Sequence, residues 1–460
     1  MLLLSLAALT CAGSASYAER RQPDMARAMA LAGRESTRPP LILIPGFMGS
    51  RLRDPHTHKV AWGTMANVLL GGDRDDLALA IDGRTDGIPG ERLVPWQIYD
   101  SLWGVDYYRE ALRSLEENGG YRLGDIDHPR PGDNAFVFLY DWRRDNVESA
   151  RRLDAAITRL KRLRGDPAER FDLVAHSQGG LIARYYIKYG SRDVLRDGAP
   201  FVPTMAGASN VNRVILAGTP NQGCLEALRS LHRGIRKGFR PMRPEVVFTM
   251  PAVYQMLPPP GAAVFADRSG APLDLDLYDP DTWERWGWSA FSPETQRRIA
   301  RSLGDDDAAL KRHNAQLRAF LERSLKNARL FREALDAPEP EGTRVEYHAF
   351  GGDCLSTRKA AIVTRRRGEP ELLFDDDQIR SAAARDRVAA VLYGPGDGVV
   401  TAQSLLGVSG SVDDEHVKLD SSFFVCGQHG VLTNHPDLQI NLLELLLKPE
   451  INGRSRASLP

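Results

Sequence analysis

This chain of 460 residues has few cysteines, no net charge and, after the first dozen residues, no long apolar run. Four cysteines are too few for a disulfide-rich scaffold, and 60 basic residues balance 60 acidic ones, which indicates no nucleic-acid partner. The later apolar runs are too short to span a membrane. The length allows one large domain with an insertion, or two domains.

The first 18 residues predict a secretory signal peptide. An apolar core occupies residues 2–12, and Ser16-Tyr17-Ala18 has the small-x-small pattern of a cleavage site, although no basic residue precedes the core. We therefore expect export, to the periplasm or the outside of the cell, with a cytoplasmic location as the alternative. Residues 19–38 are predicted to form a polar linker and residues 451–460 a flexible tail.

Removal of that peptide would leave three cysteines, Cys224, Cys354 and Cys426, whose spacing fits no metal site. We expect three separate buried thiols. A Cys354–Cys426 pair is the alternative, because both residues follow predicted strands. No metal or cofactor is indicated elsewhere, since His56 and His58 stand in an isolated polar loop.

The most informative segment is Ala175-His176-Ser177-Gln178-Gly179, which follows a short apolar run and precedes a helical pattern. A serine on a tight strand-to-helix turn is a nucleophile elbow, and its strained backbone requires small residues two positions before and after it. Ala175 and Gly179 meet that requirement. Taken alone, the motif has a second interpretation, a Ser-Gly loop without a catalytic role.

Strand-like apolar runs alternate with amphipathic helical stretches along most of the chain. The predicted strands are residues 41–44, 135–139, 171–174, 213–217, 345–350, 389–393 and 422–426. The predicted helices between them include residues 107–117, 147–163, 181–189 and 435–447. This alternation predicts an α/β fold with a mostly parallel sheet and helices on both faces. Ligands bind such sheets at the carboxyl ends of the strands.

The alternation stops in residues 225–342, which are helical and rich in aromatic residues. We predict that this segment is a helical cap, inserted between two parts of the core, residues 39–224 and 343–450. A long amphipathic stretch, residues 306–335, closes the insertion.

Two groups of side chains stand out in the predicted cap. We expect three tryptophans to form mainly the cap's own core: Trp283, Trp286 and Trp288. A basic run is expected to lie on a solvated helix face, with contact to a membrane or lipid surface as the alternative. It comprises Arg233, Arg236, Lys237, Arg240 and Arg243.

A serine nucleophile needs a base and an orienting carboxylate, which in this architecture follow it along the chain as Asp or Glu and then His. Asp397, with a glycine on each side after a predicted strand, is our candidate carboxylate, and Asp353 is its competitor. His429, in the loop between the last strand and the last helix, is the candidate base.

The tetrahedral intermediate also needs backbone N–H donors. One donor is expected from Gln178, the residue after the serine, and the other from Phe47 in the glycine-containing loop after the first strand. That loop lacks the Lys-Ser/Thr pair and the spacing of nucleotide-binding fingerprints.

With these residues, the chain resembles the lecithin:cholesterol acyltransferase family, which includes bacterial lipase-like and acyltransferase-like members. The matching segments are residues 43–52, 140–143, 175–180, 254–258, 396–400 and 429–430. The resemblance implies an α/β-hydrolase fold, the triad of Ser177, Asp397 and His429, and the oxyanion donors Phe47 and Gln178.

The resemblance further implies that Trp62 lies near a lid that touches the acyl chain, and that Arg143 is a structural ion-pair partner. We predict serine-dependent acyl transfer from lipid-like esters through an acyl-serine, as an O-acyltransferase or a lipase or phospholipase. The partner is then a lipid or another acyl ester, with peripheral contact to a lipid surface. The alternatives are an esterase or thioesterase for small acyl groups and a non-catalytic lipid carrier.

Overall fold

The computed structural model describes residues 38–64, 74–83, 87–99, 101–102, 105–236, 241–342, 345–379, 382–408 and 416–447. The predicted signal peptide, the linker apart from Arg38, and the predicted tail lie outside the described residues. Lys237 and Arg240 of the basic run also lie outside them. Among the described helices, none is long and apolar enough to cross a membrane.

The strands are short and lie mostly in one large sheet. In chain order they are β1 (Leu41–Ile44), β2 (Ser50–Arg53), β3 (Val60–Trp62), β4 (Val94–Ile98), β5 (Ser101–Leu102), β6 (Val105–Asp106), β7 (Leu123–Gly124), β8 (Ala135–Val137), β9 (Phe171–His176), β10 (Val211–Ala217), β11 (Phe265–Ala266), β12 (Glu346–Gly352), β13 (Leu355–Arg358), β14 (Ala361–Arg366), β15 (Glu369–Leu373), β16 (Tyr393–Gly396) and β17 (Ser421–Val425).

The helices include a long one that closes the predicted cap. In chain order they are α1 (Arg109–Glu117), α2 (Asn146–Arg164), α3 (Gln178–Tyr189), α4 (Leu225–Arg233), α5 (Pro244–Phe248), α6 (Pro251–Gln255), α7 (Pro280–Arg285), α8 (Pro293–Ser302), α9 (Asp307–Asp336), α10 (Ala382–Leu392), α11 (Ala402–Leu406) and α12 (Pro436–Leu447).

Seven parallel strands form the central sheet in the order β17-β12-β10-β9-β1-β8-β7. Every residue of β1, β9 and β10 is buried, as expected for strands that are covered on both faces. The predicted α/β class with a mostly parallel sheet is confirmed. The carboxyl ends of the parallel strands lie at one edge of the sheet, where the segments after β1, β9 and β17 carry Phe47, Ser177 and His429.

One predicted strand is wrong. Of residues 389–393, all but Tyr393 belong to α10, and the strand β16 begins only at Tyr393. This strand pairs antiparallel with β13 outside the central sheet. A short apolar run is compatible with a buried strand or a buried helix, and here Val388 and Leu392 pack as one helical face against Ile362.

The basic run of the cap does not lie on one helix face, so that prediction is also wrong. Arg233 is the last residue of α4, and Gly234 ends the helix with a φ of 73°. Arg233 then pairs with Asp375 at 3.4 Å, whereas Arg243 pairs with Asp75 at 2.6 Å. Because α4 ends there, Arg236 and Arg243 lie outside the helix.

The tryptophans behave as predicted for a cap core. Trp283 and Trp288 are fully buried with ring centroids 5.8 Å apart, and Trp286 is half-buried. The long helix α9 then packs on α3, where the rings of Phe331 and Tyr185 stack at 5.7 Å.

Lys188 of α3 holds the end of α9. Its buried ammonium donates to the carbonyls of Leu335 and Ala337, both at 2.6 Å, and lies 3.8 Å from the carboxylate of Glu339. Carbonyls in the last turn of a helix lack intrahelical donors, so the lysine satisfies them. Burial, together with the nearby charge of Arg184, lowers the pKa of Lys188 from 10.5 to about 7.

This lowered pKa makes the stability of the fold depend on pH. Between about pH 7 and pH 10.5 the unfolded chain holds a proton that the folded chain has released, so the contribution of Lys188 to the free energy of unfolding rises with pH. In urea unfolding, we expect wild type to gain stability over Lys188→Met by up to about 1.4 kcal/mol per pH unit across this range. The exposed Lys326→Met on α9 is the control, and a Lys188→Met difference that stays constant from pH 7 to pH 10 would contradict this account.

Candidate active site

The candidate nucleophile occupies the one-residue turn between β9 and α3. Ser177 has a φ of 53° and a ψ of −122°, a backbone conformation that is costly for any residue with a Cβ. The neighbouring glycines permit the tight packing that holds it. A Cβ on Gly179 would lie 2.5 Å from the Ile44 carbonyl oxygen, and one on Gly180 would lie 2.0 Å from Thr219 Oγ1.

The three predicted triad residues come together in one hydrogen-bonded chain. Ser177 Oγ lies 2.9 Å from His429 Nε2, and His429 Nδ1 lies 2.7 Å from Asp397 Oδ2. A carboxylate can only accept, so Nδ1 carries the proton and Nε2 is free to accept the hydrogen of the serine hydroxyl. The arrangement can therefore pass a proton from the serine to the imidazole.

Asp397 is held as a carboxylate by its surroundings. Its Oδ1 accepts the backbone N–H groups of Val399 at 3.0 Å and Val400 at 2.7 Å. Burial acts to raise its pKa, but the charge and hydrogen bond of His429 and these two donors outweigh it, so the pKa of Asp397 lies below its ordinary value. The competing candidate Asp353 is exposed beyond the end of β12.

The two residues predicted to supply oxyanion donors both contact Trp142. The Phe47 ring packs edge-on against the Trp142 ring at 4.9 Å, and the side-chain amide of Gln178 donates to the Trp142 carbonyl at 3.2 Å. Gln178 is the first residue of α3, where a backbone N–H has no intrahelical acceptor. Phe47 lies at the tip of a turn that the Gly49 N–H closes by donating to the Gly46 carbonyl at 2.9 Å.

Arg143 is a structural ion-pair partner, as the resemblance implies. Its guanidinium is fully buried and holds Asp141 through two bonds of 2.7 and 2.9 Å. It also donates to the carbonyls of Leu77 and Gly90, which joins the neighbouring loops. It does not line the candidate site.

A cavity of about 350 Å³ opens above Ser177 and His429. Its walls are mostly apolar or aromatic and include Phe47, Met48, Tyr99, Tyr107, Tyr108, Ile235, Val253, Met256 and Val431. A cavity with apolar walls and a polar chain at its base fits an ester whose acyl part is apolar.

Trp62 is buried in the core, where its indole N–H donates to the Met48 carbonyl at 3.1 Å, and it is not among the residues that line the cavity. One expectation about this region is wrong: the three cysteines are not separate thiols, because Cys354 and Cys426 form a disulfide. The two cysteines follow β12 and β17, which are adjacent in the sheet, an arrangement that the sequence does not reveal.

Cys224 remains a free thiol and lines the cavity. Burial raises its pKa to about 12, so it is protonated and serves as an apolar wall. Within the described ranges, no group of His, Cys, Asp and Glu side chains could hold a metal ion.

Comparison with known proteins relates the chain to a family. The lecithin:cholesterol acyltransferase family matches residues 101–285, a segment that includes Ser177 and part of the predicted cap. The predicted resemblance to this family is confirmed. An uncharacterized protein of Saccharomyces cerevisiae is 24% identical over 266 residues, which are 56% of this chain and 35% of that protein. The chain thus spans about a third of the length of this curated relative.

One solved structure shares the fold over most of this chain. A chain in the crystal structure of the Tle4–Tli4 complex superposes with a TM-score of 0.53 at 15% identity, covering 90% of this chain and 98% of that one. The mature lipase BlEst2 of Bacillus licheniformis is 12% identical with a TM-score of 0.33, over 90% of this chain and 94% of its own. The predicted α/β-hydrolase fold is confirmed.

The disulfide ties down the loop that carries His429, three residues after Cys426. In the unreduced, denatured protein we expect Cys224 to be alkylated, and Cys354 and Cys426 to be alkylated only after reduction, as mass spectrometry of peptides would show. The double variant Cys354→Ser, Cys426→Ser should lose about 2–4 kcal/mol of unfolding free energy, because the bond closes a long loop. Cys224→Ala is the control for the stability measurement, because it removes a cysteine without breaking the disulfide. Alkylation of Cys354 without reductant would contradict the pairing.

Proposed function

We propose that this protein transfers acyl groups from lipid-like esters to an alcohol or to water through an acyl-serine at Ser177. The observation that carries the proposal is the continuous hydrogen-bonded chain of Ser177, His429 and Asp397 at the base of an apolar cavity. The family match supports acyl transfer or hydrolysis of lipid esters.

The geometry supports a two-stage reaction. Ser177 Oγ attacks the ester carbonyl while His429 Nε2 takes its proton, and Asp397 stabilises the resulting imidazolium. His429 then returns the proton to the leaving alcohol, which departs and leaves an acyl-serine. In the second stage the acceptor alcohol or water attacks the acyl carbon while the same imidazole takes its proton. The second tetrahedral intermediate then collapses, its bond to Ser177 Oγ breaks, and His429 returns the proton to that oxygen.

The developing oxyanion needs donors, and we assign the backbone N–H groups of Phe47 and Gln178 to this role. Both residues are anchored on Trp142, so the donors need little rearrangement when charge develops. Whether water or an alcohol accepts the acyl group depends on how far the predicted cap excludes water and orients an alcohol.

We also propose that the protein is exported and acts at a lipid surface. The Cys354–Cys426 disulfide supports an oxidising compartment, where such bonds persist. Either the periplasm or the exterior of the cell would meet that condition.

Two substitutions test the proposed triad. We expect Ser177→Ala to abolish hydrolysis of a p-nitrophenyl ester and labelling by a fluorophosphonate. Asp397→Asn should lower kcat by about 10²- to 10⁴-fold, because the imidazole loses the partner that fixes its tautomer. Asp353→Asn is the matched control and should stay within about twofold of wild type, as expected for a surface substitution away from the site. An active Ser177→Ala protein would refute the mechanism, and an unlabelled wild type would favour the non-catalytic carrier.

Acyl chain length tests the substrate class. The apolar walls predict that kcat/KM rises steeply with chain length in a series of p-nitrophenyl esters, by about threefold or more for each buried methylene. The substitution Val253→Asp would place a charge in the cavity wall, and we expect kcat/KM then to depend only weakly on acyl chain length. A preference for acetate over longer acyl groups would instead favour an esterase or thioesterase for small acyl groups.

A further inference from the structure

A second hydrogen-bonded chain lies behind the candidate triad. The Gly46 N–H donates to Tyr108 Oη at 2.9 Å, Tyr108 Oη lies 2.7 Å from His176 Nδ1, and His176 Nε2 lies 3.0 Å from the His429 carbonyl oxygen. The chain starts at the residue before Phe47 and ends on the backbone of the proposed base.

The chemistry of the two ends fixes the protons along this chain. A carbonyl oxygen only accepts, so His176 Nε2 must carry a hydrogen and donate it to His429. In the neutral ring Nδ1 is then an acceptor, and the Tyr108 hydroxyl donates to it. The hydroxyl oxygen keeps a lone pair that accepts the Gly46 N–H, so every group has a partner of the correct kind.

The chain is largely buried at the base of the cavity. Tyr108 and His176 also line the cavity, but they are only 4% and 6% exposed, so losing one of these bonds is costly. Burial raises the pKa of the Tyr108 phenol, so it remains an O–H donor at neutral pH. The His176 ring also packs against the His429 ring at a centroid distance of 5.0 Å.

Gly46 is where the chain meets the nucleophile. A Cβ at this position would lie 2.9 Å from Ser177 Cβ and 3.0 Å from His176 Nδ1, so the Gly46 backbone sits directly against both residues. A shift of Gly46 would therefore move the next N–H, that of Phe47, relative to Ser177 Oγ.

We propose that Tyr108 and His176 are positioning residues that hold the oxyanion loop and the His429 loop at a set separation across Ser177. The inference rests on the proposed function. Neither residue exchanges a proton with the substrate; both act through the backbone atoms that they hold.

Tyr108→Phe keeps the ring and removes both bonds of the hydroxyl. We expect kcat on a p-nitrophenyl ester to fall by about 10- to 100-fold with KM within about twofold, because the loss falls on transition-state stabilisation. The affinity for an alkyl boronic acid, which forms a tetrahedral adduct with serine, should fall by a similar factor. The matched control is Tyr185→Phe, since the Tyr185 hydroxyl also makes one bond as donor, to the Arg192 carbonyl at 2.8 Å, and one as acceptor, from the Val194 N–H at 3.1 Å.

The control also loses one donated and one accepted hydrogen bond, near the far end of α3, so a merely structural effect would appear in both variants. Unchanged kcat and boronate affinity in Tyr108→Phe, or equal losses in Tyr185→Phe, would overturn the inference. If Tyr108→Phe does not fold, His176→Phe cuts the same chain at its middle residue and carries the same expectation.

A double-mutant cycle gives a second test. If the two residues act through one chain, Tyr108→Phe combined with His176→Phe should lower kcat no further than the larger single effect. Multiplicative losses would overturn the proposal. Its failure is distinguishable from failure of the proposed function, which an active Ser177→Ala protein or an unlabelled wild type would reveal.

Discussion

The structure of the site depends on one constraint, that β9 turns into α3 within a single residue. Ser177 can hold its unfavourable backbone conformation only because the surrounding structure leaves no alternative. Gly179 packs against the carbonyl end of β1, and Gly180 packs against the loop after β10. These contacts press α3 onto the sheet and leave the serine hydroxyl at the carboxyl edge, where the neighbouring loops can reach it.

The same constraint explains why the other site residues are attached through the backbone. His429 donates its backbone N–H to the Asp397 carbonyl at 2.9 Å, and its own carbonyl accepts from His176. On the other side, the Tyr140 hydroxyl donates to the Pro45 carbonyl at 2.7 Å. Hydrogen bonds from neighbouring segments thus hold the main chain of these loops, through atoms that do not take part in the proposed reaction.

Elements of the fold were predictable from the sequence where their buried residues form a recognisable pattern of apolar side chains. Strand β1 was predicted with its observed bounds because all four residues are apolar and buried. The helix predicted at residues 306–335 was found because an apolar stripe runs along its length. It differs from α9 by one residue, because Asp306 caps the helix and does not belong to it. The chain order of serine, aspartate and histidine identified the three residues that meet at the carboxyl edge.

What remained hidden depends on which segments become neighbours. Nothing local to Cys354 or Cys426 reveals that β12 and β17 are adjacent, so the disulfide could not be chosen over free thiols. The partnership of Tyr108 and His176 joins residues 68 positions apart and has no motif. The strand prediction for residues 389–393 failed for a different reason. A short apolar run can have the same composition in a strand and in a buried helix.

Helix α3 couples the nucleophile to the cap. Ser177 precedes its first turn, while Lys188 and Arg184 further along donate to the carbonyl of Leu335 at the end of α9 at 2.6 and 2.9 Å. Arg332 of α9 in turn donates to the backbone of Asn221, in the loop after β10. Buried cations bonded to carbonyls are costly to separate, because each would be left without a partner inside the protein. Helix α9, which closes the predicted cap, is therefore fixed to the helix that places the serine.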